Sequence, residues 1–189
     1  MSTEPPEPVR IKMKTTPTAA RTPFLVGWVA RFPAVARRLL VGLLRIPPGD
    51  LRTRTFEWAV REVAAGSYNR QDYEVIRAVL PDDFEIIPSP EMNSLLASDS
   101  AVYSGKDEAL GVLAEWIDGW QDFKVIPVEV IDLGDRRLLI LNRATAQGAG
   151  SGLEVDQREA ELWEFQPDRA RMKQWWNWHE ALEAVGLSE

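Results

Sequence analysis

The 189-residue chain contains no cysteine and only one histidine, His179. Without cysteine, disulfide bonds, thiolate metal ligands and thiol nucleophiles are excluded, and the composition fits a reducing compartment. A single histidine also excludes metal sites built from clustered histidines. The sequence therefore predicts neither a metal site nor a cofactor, and the expected location is cytoplasmic.

Basic residues are fewer than acidic ones, 22 against 29, and the net charge is −7. Binding to nucleic acid in general requires a basic surface, so we expect no nucleic-acid partner. The charge is unevenly placed along the chain. Residues 1–50 carry eight basic and three acidic side chains, a net charge of +5, which leaves −12 for the remainder. This asymmetry indicates an N-terminal appendage that differs from the body of the protein.

Composition divides the chain into three parts. Residues 1–23 are rich in Pro and Thr and predict a disordered tail. Residues 24–48 are apolar with interspersed arginines, which predicts a basic amphipathic helical extension, too short and too interrupted to span a membrane. The segment 24–46 either packs on its own domain or a dimer partner, which we favour, or rests on a membrane surface. Residues 49–189 form the third part.

The periodicity of apolar residues in the third part predicts an α+β fold. Helical spacing begins near Asp50 and stops at Gly66, a second short helix follows, and a brief strand occupies residues 84–87. A Pro- and Ser-rich loop over residues 88–103 is long enough to act as a lid. A further helix precedes a change to a period of two, which predicts four antiparallel strands in a meander. One curved sheet wrapped around the helices is the expected architecture.

Several short segments in the same order resemble the nuclear transport factor 2-like superfamily, and within it the SnoaL-like group of polyketide cyclase relatives. These segments are Tyr68–Tyr73, Pro81–Glu85, Val102–Asp107, Trp116–Phe123 and Glu180–Leu187. The resemblance covers about residues 50–187. It implies a cone-shaped, curved antiparallel sheet around three helices, and commonly a homodimer. Enzymes, binding proteins and scaffolds share this fold, so the resemblance does not decide the function.

The resemblance also permits a test of catalytic residues. Steroid-isomerase relatives carry a base carboxylate where this chain has Ile87 and Pro88, and a helix tyrosine where it has Ala64. Both groups are missing. Alignment with the same relatives places Glu161 at the position of an acid that donates a hydrogen bond to an oxyanion.

Glu161 is the one candidate catalytic residue. Strand alternation places Trp163 and Phe165 on its face, and a carboxyl group between aromatic walls should have a raised pKa and could act as a general acid or base. The alternative is that Glu161 is solvated at the mouth of the barrel, or pairs with Arg143 or Arg158.

The eight tryptophans of the chain either line a pocket or fill a core. Trp175 and Trp176 are adjacent, so only one of them can point inward. The predicted ligand-binding residues are Trp58, Trp116, Trp120, Asn142, Trp163, Phe165, Trp175 and Asn177.

Two functions follow from these candidates. The first is binding of a small hydrophobic molecule in an aromatic-lined pocket. The second is an isomerase or cyclase-type enzyme in which Glu161 acts as acid or base and Asn142 or Asn177 positions the substrate. We favour binding because the base site of the isomerases is missing.

Overall fold

The computed structural model of the chain describes residues 7–14, 23–46, 49–148, 150, 152–166 and 169–188. The helices are α1 (Phe24–Arg31), α2 (Pro33–Leu43), α3 (Asp50–Trp58), a π-helical segment (Ala59–Ala65), α4 (Gly66–Arg70), α5 (Tyr73–Val79), α6 (Pro90–Leu95), α7 (Lys106–Asp118) and α8 (Trp178–Ala184). The strands are β1 (Val9–Lys12), β2 (Glu85–Ile87), β3 (Tyr103–Ser104), β4 (Trp120–Gly134), β5 (Arg137–Gly148), β6 (Glu154–Phe165) and β7 (Ala170–Trp175).

All seven strands form one curved, unclosed sheet in the order β1-β4-β5-β6-β7-β2-β3. The predicted α+β class, with a curved sheet wrapped around helices, is confirmed. Strands β4 to β7 form the predicted antiparallel meander. The sheet as a whole is mixed, because β2 runs parallel to β7. A parallel pair requires a long crossover, which here includes α7 and the meander itself.

The sheet has two differently covered faces because side chains alternate along each strand. The inner face packs on α3, the π-helical segment, α4, α5 and α7, and its aliphatic members include Val130, Ile140 and Met172. The outer face carries Leu139, Leu141 and Ala160 under α8. We call the space between the inner face and the helices the cone.

Part of the segment 1–23, for which the sequence predicts disorder, forms a strand in the structure. Val9–Lys12 forms an edge strand that pairs antiparallel with β4, with Ile11 opposite Val130. Ile11 is buried in the core of the cone, so its apolar surface and the hydrogen bonds of the ladder offset the loss of chain entropy. The rest of the predicted tail, residues 1–6 and 15–22, lies outside the described residues.

The predicted helical extension consists of α1 and α2, except for residues 47 and 48, which lie outside the described part. Val26 is fully buried and Leu44 belongs to the core of the cone. The guanidinium of Arg37 donates to the carbonyl of Leu80 at 3.2 Å. These contacts attach the extension to its own domain. Among the described helices, none combines the length and the apolarity needed to cross a membrane.

A buried ion pair joins the start of α3 to the sheet. One guanidinium nitrogen of Arg52 lies 2.7 Å from a carboxylate oxygen of Asp132 on β4, and both side chains are buried. Arg52 also donates to the carbonyls of Leu44 and Ile46 at the end of the extension. Three chain segments therefore meet at one guanidinium.

Two further predictions differ from the structure. The predicted loop over residues 88–103 contains α6, whose first turn is capped by the hydroxyl of Ser89 and whose Met92 is fully buried. A short packed helix therefore occupies part of the expected lid. The helix predicted to stop at Gly66 continues to Arg70 through the π-helical segment. Gly66 directly follows the π-helical segment, and a side chain there would meet the backbone of the preceding turn.

The π-helical segment gives a prediction for Gly66. A Cβ at this position would lie 2.8 Å from the carbonyl oxygen of Arg61 and 3.0 Å from a guanidinium nitrogen of Arg70. We expect Gly66→Ala to lower the free energy of unfolding by about 1–3 kcal/mol, measured by urea denaturation. Gly111→Ala in α7 is the control, because a Cβ there meets nothing within 4 Å. It should stabilise by about 0.4–1 kcal/mol, and the same sign for both changes would contradict the prediction.

Candidate ligand site inside the cone

Two glutamates on β6 face the cone from alternate positions. Glu159 is 4% exposed and Glu161 is 8% exposed. Asn142 on β5 is opposite Glu159, and Gln174 on β7 is opposite Glu161. Both amide side chains are also buried. We call Glu159 and Glu161 the carboxyl pair.

Hydrogen bonds satisfy some of the polar atoms of these four buried side chains. The indole N–H of Trp163 donates to Oε2 of Glu161 at 2.8 Å. The side chains of Asn142 and Gln174 hydrogen-bond Glu159. The amide oxygens of Asn142 and Gln174 are buried and have no partner among the described residues. The site therefore holds unused hydrogen-bond acceptors, which cost free energy when buried.

Burial raises the pKa of Glu159 to about 8, the charge of Glu161 adds to this increase, and the hydrogen bonds from Asn142 and Gln174 oppose it. Burial also raises the pKa of Glu161, against the effect of the Trp163 hydrogen bond. Two carboxyl groups this close in a dry interior resist losing both protons, so they titrate as a pair. At neutral pH the pair retains a proton that can be donated.

A tyrosine from the helices faces the same group. Tyr68 on α4 is buried, and its pKa is raised first by burial and then by the charges of Glu161 and Glu159. The resemblance to the steroid isomerases places their helix tyrosine near Ala64, and Tyr68 lies about one helical turn further along the chain. Its phenol adds a neutral donor near the carboxyl pair.

Aromatic side chains occupy the cone on both sides of the pair. Trp163 stacks between Phe84 and Phe165, with ring centroids 5.5 and 5.9 Å apart. On the other side, Trp116 contacts Trp120 and Trp176 edge to face, each at 5.4 Å. We call these last three residues the Trp116 cluster.

A small cavity lies between Glu159 of the carboxyl pair and the Trp116 cluster. Its volume is about 10 Å³, and it is lined by Glu159, Gln157 and Phe123 together with the Trp116 cluster. Such a volume holds about one water molecule. The cone is therefore nearly filled in this state, and a larger molecule requires its aromatic walls to move.

The structure brings six of the predicted site residues into the cone. They are Trp116, Trp120, Asn142, Glu161, Trp163 and Phe165. Neither alternative position for Glu161 is observed, because Arg143 pairs with Asp156 and the guanidinium of Arg158 lies over the ring of Trp178.

Three predicted ligand-binding residues lie elsewhere. Trp175 packs on the outer face beside Leu162. Asn177 is exposed and caps α8, accepting the backbone N–H of His179 at 2.9 Å. Trp58 is half-buried at the end of α3 and does not pack in the core of the cone. Trp175 and Asn177 do not belong to the site inside the cone, because the first lies on the outer face of the sheet and the second on the surface.

Four members of the site were not predicted from the sequence: Glu159, Gln174, Trp176 and Tyr68. Glu159 had a usable signal, since it stands two residues before Glu161 and alternation puts both on one face. Gln174 depends on the register between β6 and β7, which the sequence alone does not give.

No protein-family model matches this chain, and no curated protein sequence matches it either. Solved structures do match. A protein of Catenulispora acidiphila with a ketosteroid isomerase-like fold, crystallised in complex with trimethylamine, is 13% identical, with a TM-score of 0.50 over 66% of this chain and 90% of the other.

Two further structures match with lower TM-scores. An NTF2-like protein of Burkholderia xenovorans is 15% identical over 58% of this chain and 79% of its own, with a TM-score of 0.43. A SnoaL-like protein of Mesorhizobium loti is 13% identical over 58% and 89%, also with a TM-score of 0.43. The chain has the nuclear transport factor 2-like fold, as the resemblance implied.

The carboxyl pair predicts a pH dependence of stability. Because the pKa of Glu159 is raised in the folded state, the unfolded state loses its proton first as the pH increases. Stability is therefore highest below the unfolded pKa and falls as the pH rises towards about 8. The loss attributable to Glu159 is at most about 1.4 kcal/mol per pH unit.

Glu159→Gln should remove this part of the pH dependence and retain only that of Glu161. Urea denaturation between about pH 5 and 8 should show that the free energy of unfolding of the variant increases relative to that of the wild type as the pH increases. Glu154→Gln, an exposed position on the same strand, is the control for the loss of one charge. Parallel curves for wild type and Glu159→Gln would show that Glu159 does not hold its proton in the folded protein.

Proposed function

We propose that this protein binds a small, largely apolar molecule in the cone, between the Trp116 cluster and the carboxyl pair. The observation that carries the proposal is the carboxyl pair itself, buried beside a cavity with aromatic walls. Ligand sites typically combine a mainly apolar lining with a few convergent polar groups, which orient the ligand.

The polar groups argue for a ligand rather than for core filling alone. Glu159, Glu161, Asn142 and Gln174 are all buried, and two of their oxygens lack partners. A core selected only for stability favours apolar side chains at such positions, because buried polar groups without partners cost free energy. A bound molecule that donates hydrogen bonds would offset this cost.

Access to the site requires movement at the Trp116 cluster. Trp120, Phe123 and Trp176 are half-buried, so they separate the cavity from solvent. Trp120 and Phe123 flank Asp122, which has a φ of 52°, where the pairing of β4 with β5 is irregular. Irregular strand ends deform more readily than a continuous ladder. We infer that these aromatic side chains move apart when the ligand enters.

The protein of Catenulispora acidiphila supports small-molecule binding within this fold, since it was crystallised with trimethylamine.

Tryptophan fluorescence provides the test of binding. We expect a saturable change with at least one member of a panel of small apolar ligands. Trp176→Phe should weaken binding several-fold, because Trp176 lines the cavity. Trp175→Phe is the matched control, since Trp175 lies one residue away on the outer face and should leave the Kd within about twofold.

Absence of a saturable change across chemically varied ligands would contradict the proposal. Equal weakening by both substitutions would place the ligand outside the cone.

A second candidate function is acid–base catalysis by Glu161 in an isomerase or cyclase-type enzyme. The observation that favours it is the raised pKa of Glu161 beside a second carboxyl group. One protonated and one ionised carboxyl group can act as an acid and a base on the same substrate. Asn142 and Tyr68 would position the substrate.

Proton transfer can be tested without knowing the natural substrate. Ketones that bind in the fluorescence assay would be incubated with the protein in heavy water, and deuterium incorporation next to the carbonyl followed by NMR. We expect Glu161→Gln to abolish enzyme-dependent incorporation, while Glu154→Gln preserves it. Incorporation that is unaffected by Glu161→Gln would exclude Glu161 as the acid or base.

A further inference from the structure

The arrangement of acceptors and aromatic rings points to the chemical class of the ligand, an inference that depends on the proposed function. We propose that the ligand is a small organic cation, an alkylammonium whose N–H groups bind the carboxyl pair and whose alkyl groups pack on the Trp116 cluster.

The polar groups in the cone are mainly acceptors. The carboxyl pair contributes its oxygens, and the unpartnered amide oxygens of Asn142 and Gln174 are each on a side chain more than nine-tenths buried. The donors are fewer: the phenol of Tyr68, the indole N–H of Trp163, which is already used by Glu161, and the N–H of Trp176, which has no partner among the described residues. An excess of acceptors is complementary to a ligand that supplies donors.

Among the residues described, no basic side chain contributes to the pKa of Glu159 or of Glu161. Arg52 is the only buried basic side chain in that part of the chain, and it is paired with Asp132 at 2.7 Å. Arg143 and Arg158 are exposed, and they contact Asp156 and Trp178 instead. Burying an ionised carboxylate without an opposite charge nearby costs free energy. A cationic ligand would supply that opposite charge and so reduce the cost.

The aromatic lining suits a cation with alkyl groups better than a metal ion. The rings of Trp120 and Trp176 are inclined to the ring of Trp116 by 64° and 63°, and all three residues line the cavity. Aromatic faces attract organic cations through their negative potential, with Trp the strongest. Calcium requires six to eight oxygen ligands, which an aromatic cavity does not offer.

Binding of a cation should be linked to release of a proton. The pKa of Glu159 is about 8, and an ammonium group beside it favours the ionised form. The other titratable groups around Glu159 are Glu161 on the same strand and Tyr68 on α4. Asn142 and Gln174 on the neighbouring strands are uncharged, and α7 presents Trp116. Affinity should therefore increase with pH until Glu159 is ionised.

Matched sets of probes test the class of ligand. Each set contains an amine, an alcohol and a carboxylate on the same alkyl group, for which we would use tert-butyl, cyclohexyl and n-hexyl. Isothermal titration calorimetry at pH 6, 7 and 8.5 would measure affinity, and two buffers of different ionisation enthalpy would measure proton release. We expect at least one ammonium ion to bind about tenfold or more tightly than its alcohol.

Substitution of Glu159 provides the residue-level control. Glu159→Gln keeps the shape and should reduce the preference for the amine over the alcohol about tenfold, with loss of proton release. Glu154→Gln should change neither quantity. The free energy of unfolding of both variants would be measured in parallel to confirm folding.

The outcomes separate the two proposals. Equal or tighter binding of the alcohol would overturn the cation and leave small-molecule binding intact, and tighter binding of the carboxylate or of calcium chloride would also overturn it. Failure of every probe to bind would contradict both proposals. An amine preference that survives Glu159→Gln would show that the charge is recognised elsewhere.

Discussion

The interior of this protein is organised by one constraint, the burial of two carboxyl groups on alternate positions of a single strand. Glu159 and Glu161 cannot reach solvent from β6, so their surroundings must satisfy them. The neighbouring strands provide Asn142 and Gln174, and the same strand provides the indole of Trp163. Because no basic residue among those described neutralises the charges, the pair retains a proton at neutral pH.

The aromatic side chains set a second condition, because they occupy the volume that a ligand would need. Contacts within the Trp116 cluster stabilise the closed state, and the remaining cavity is the size of a water molecule. Any molecule that binds must replace these contacts with its own. Selectivity for shape would then come from how closely a ligand packs against the separated rings of Trp120 and Trp176, and selectivity for charge would come from Glu159.

The sequence predicts the fold class and part of the site, since both depend on local periodicity. Alternation correctly assigns Glu161, Trp163 and Phe165 to one face of β6, and the same rule extends to Glu159. The choice between Trp175 and Trp176 depends on the register of β7, and the pairing of Val9–Lys12 depends on a contact with β4 more than a hundred residues away. Such long-range pairings leave little trace in local composition. The prediction of disorder failed at β1 for that reason.

The π-helical segment before α4 has a consequence for the direction of Tyr68. A π-helical turn contains more residues than an α-helical turn, so the segment changes the angle at which every later side chain leaves the helix axis. Removal of one residue between Ala59 and Ala65 would turn α4 by about 100° about its axis. The phenol would then point away from β6. The number of residues in this irregular turn, which lies about one helical turn before Tyr68 in the chain, therefore determines the direction in which the tyrosine points.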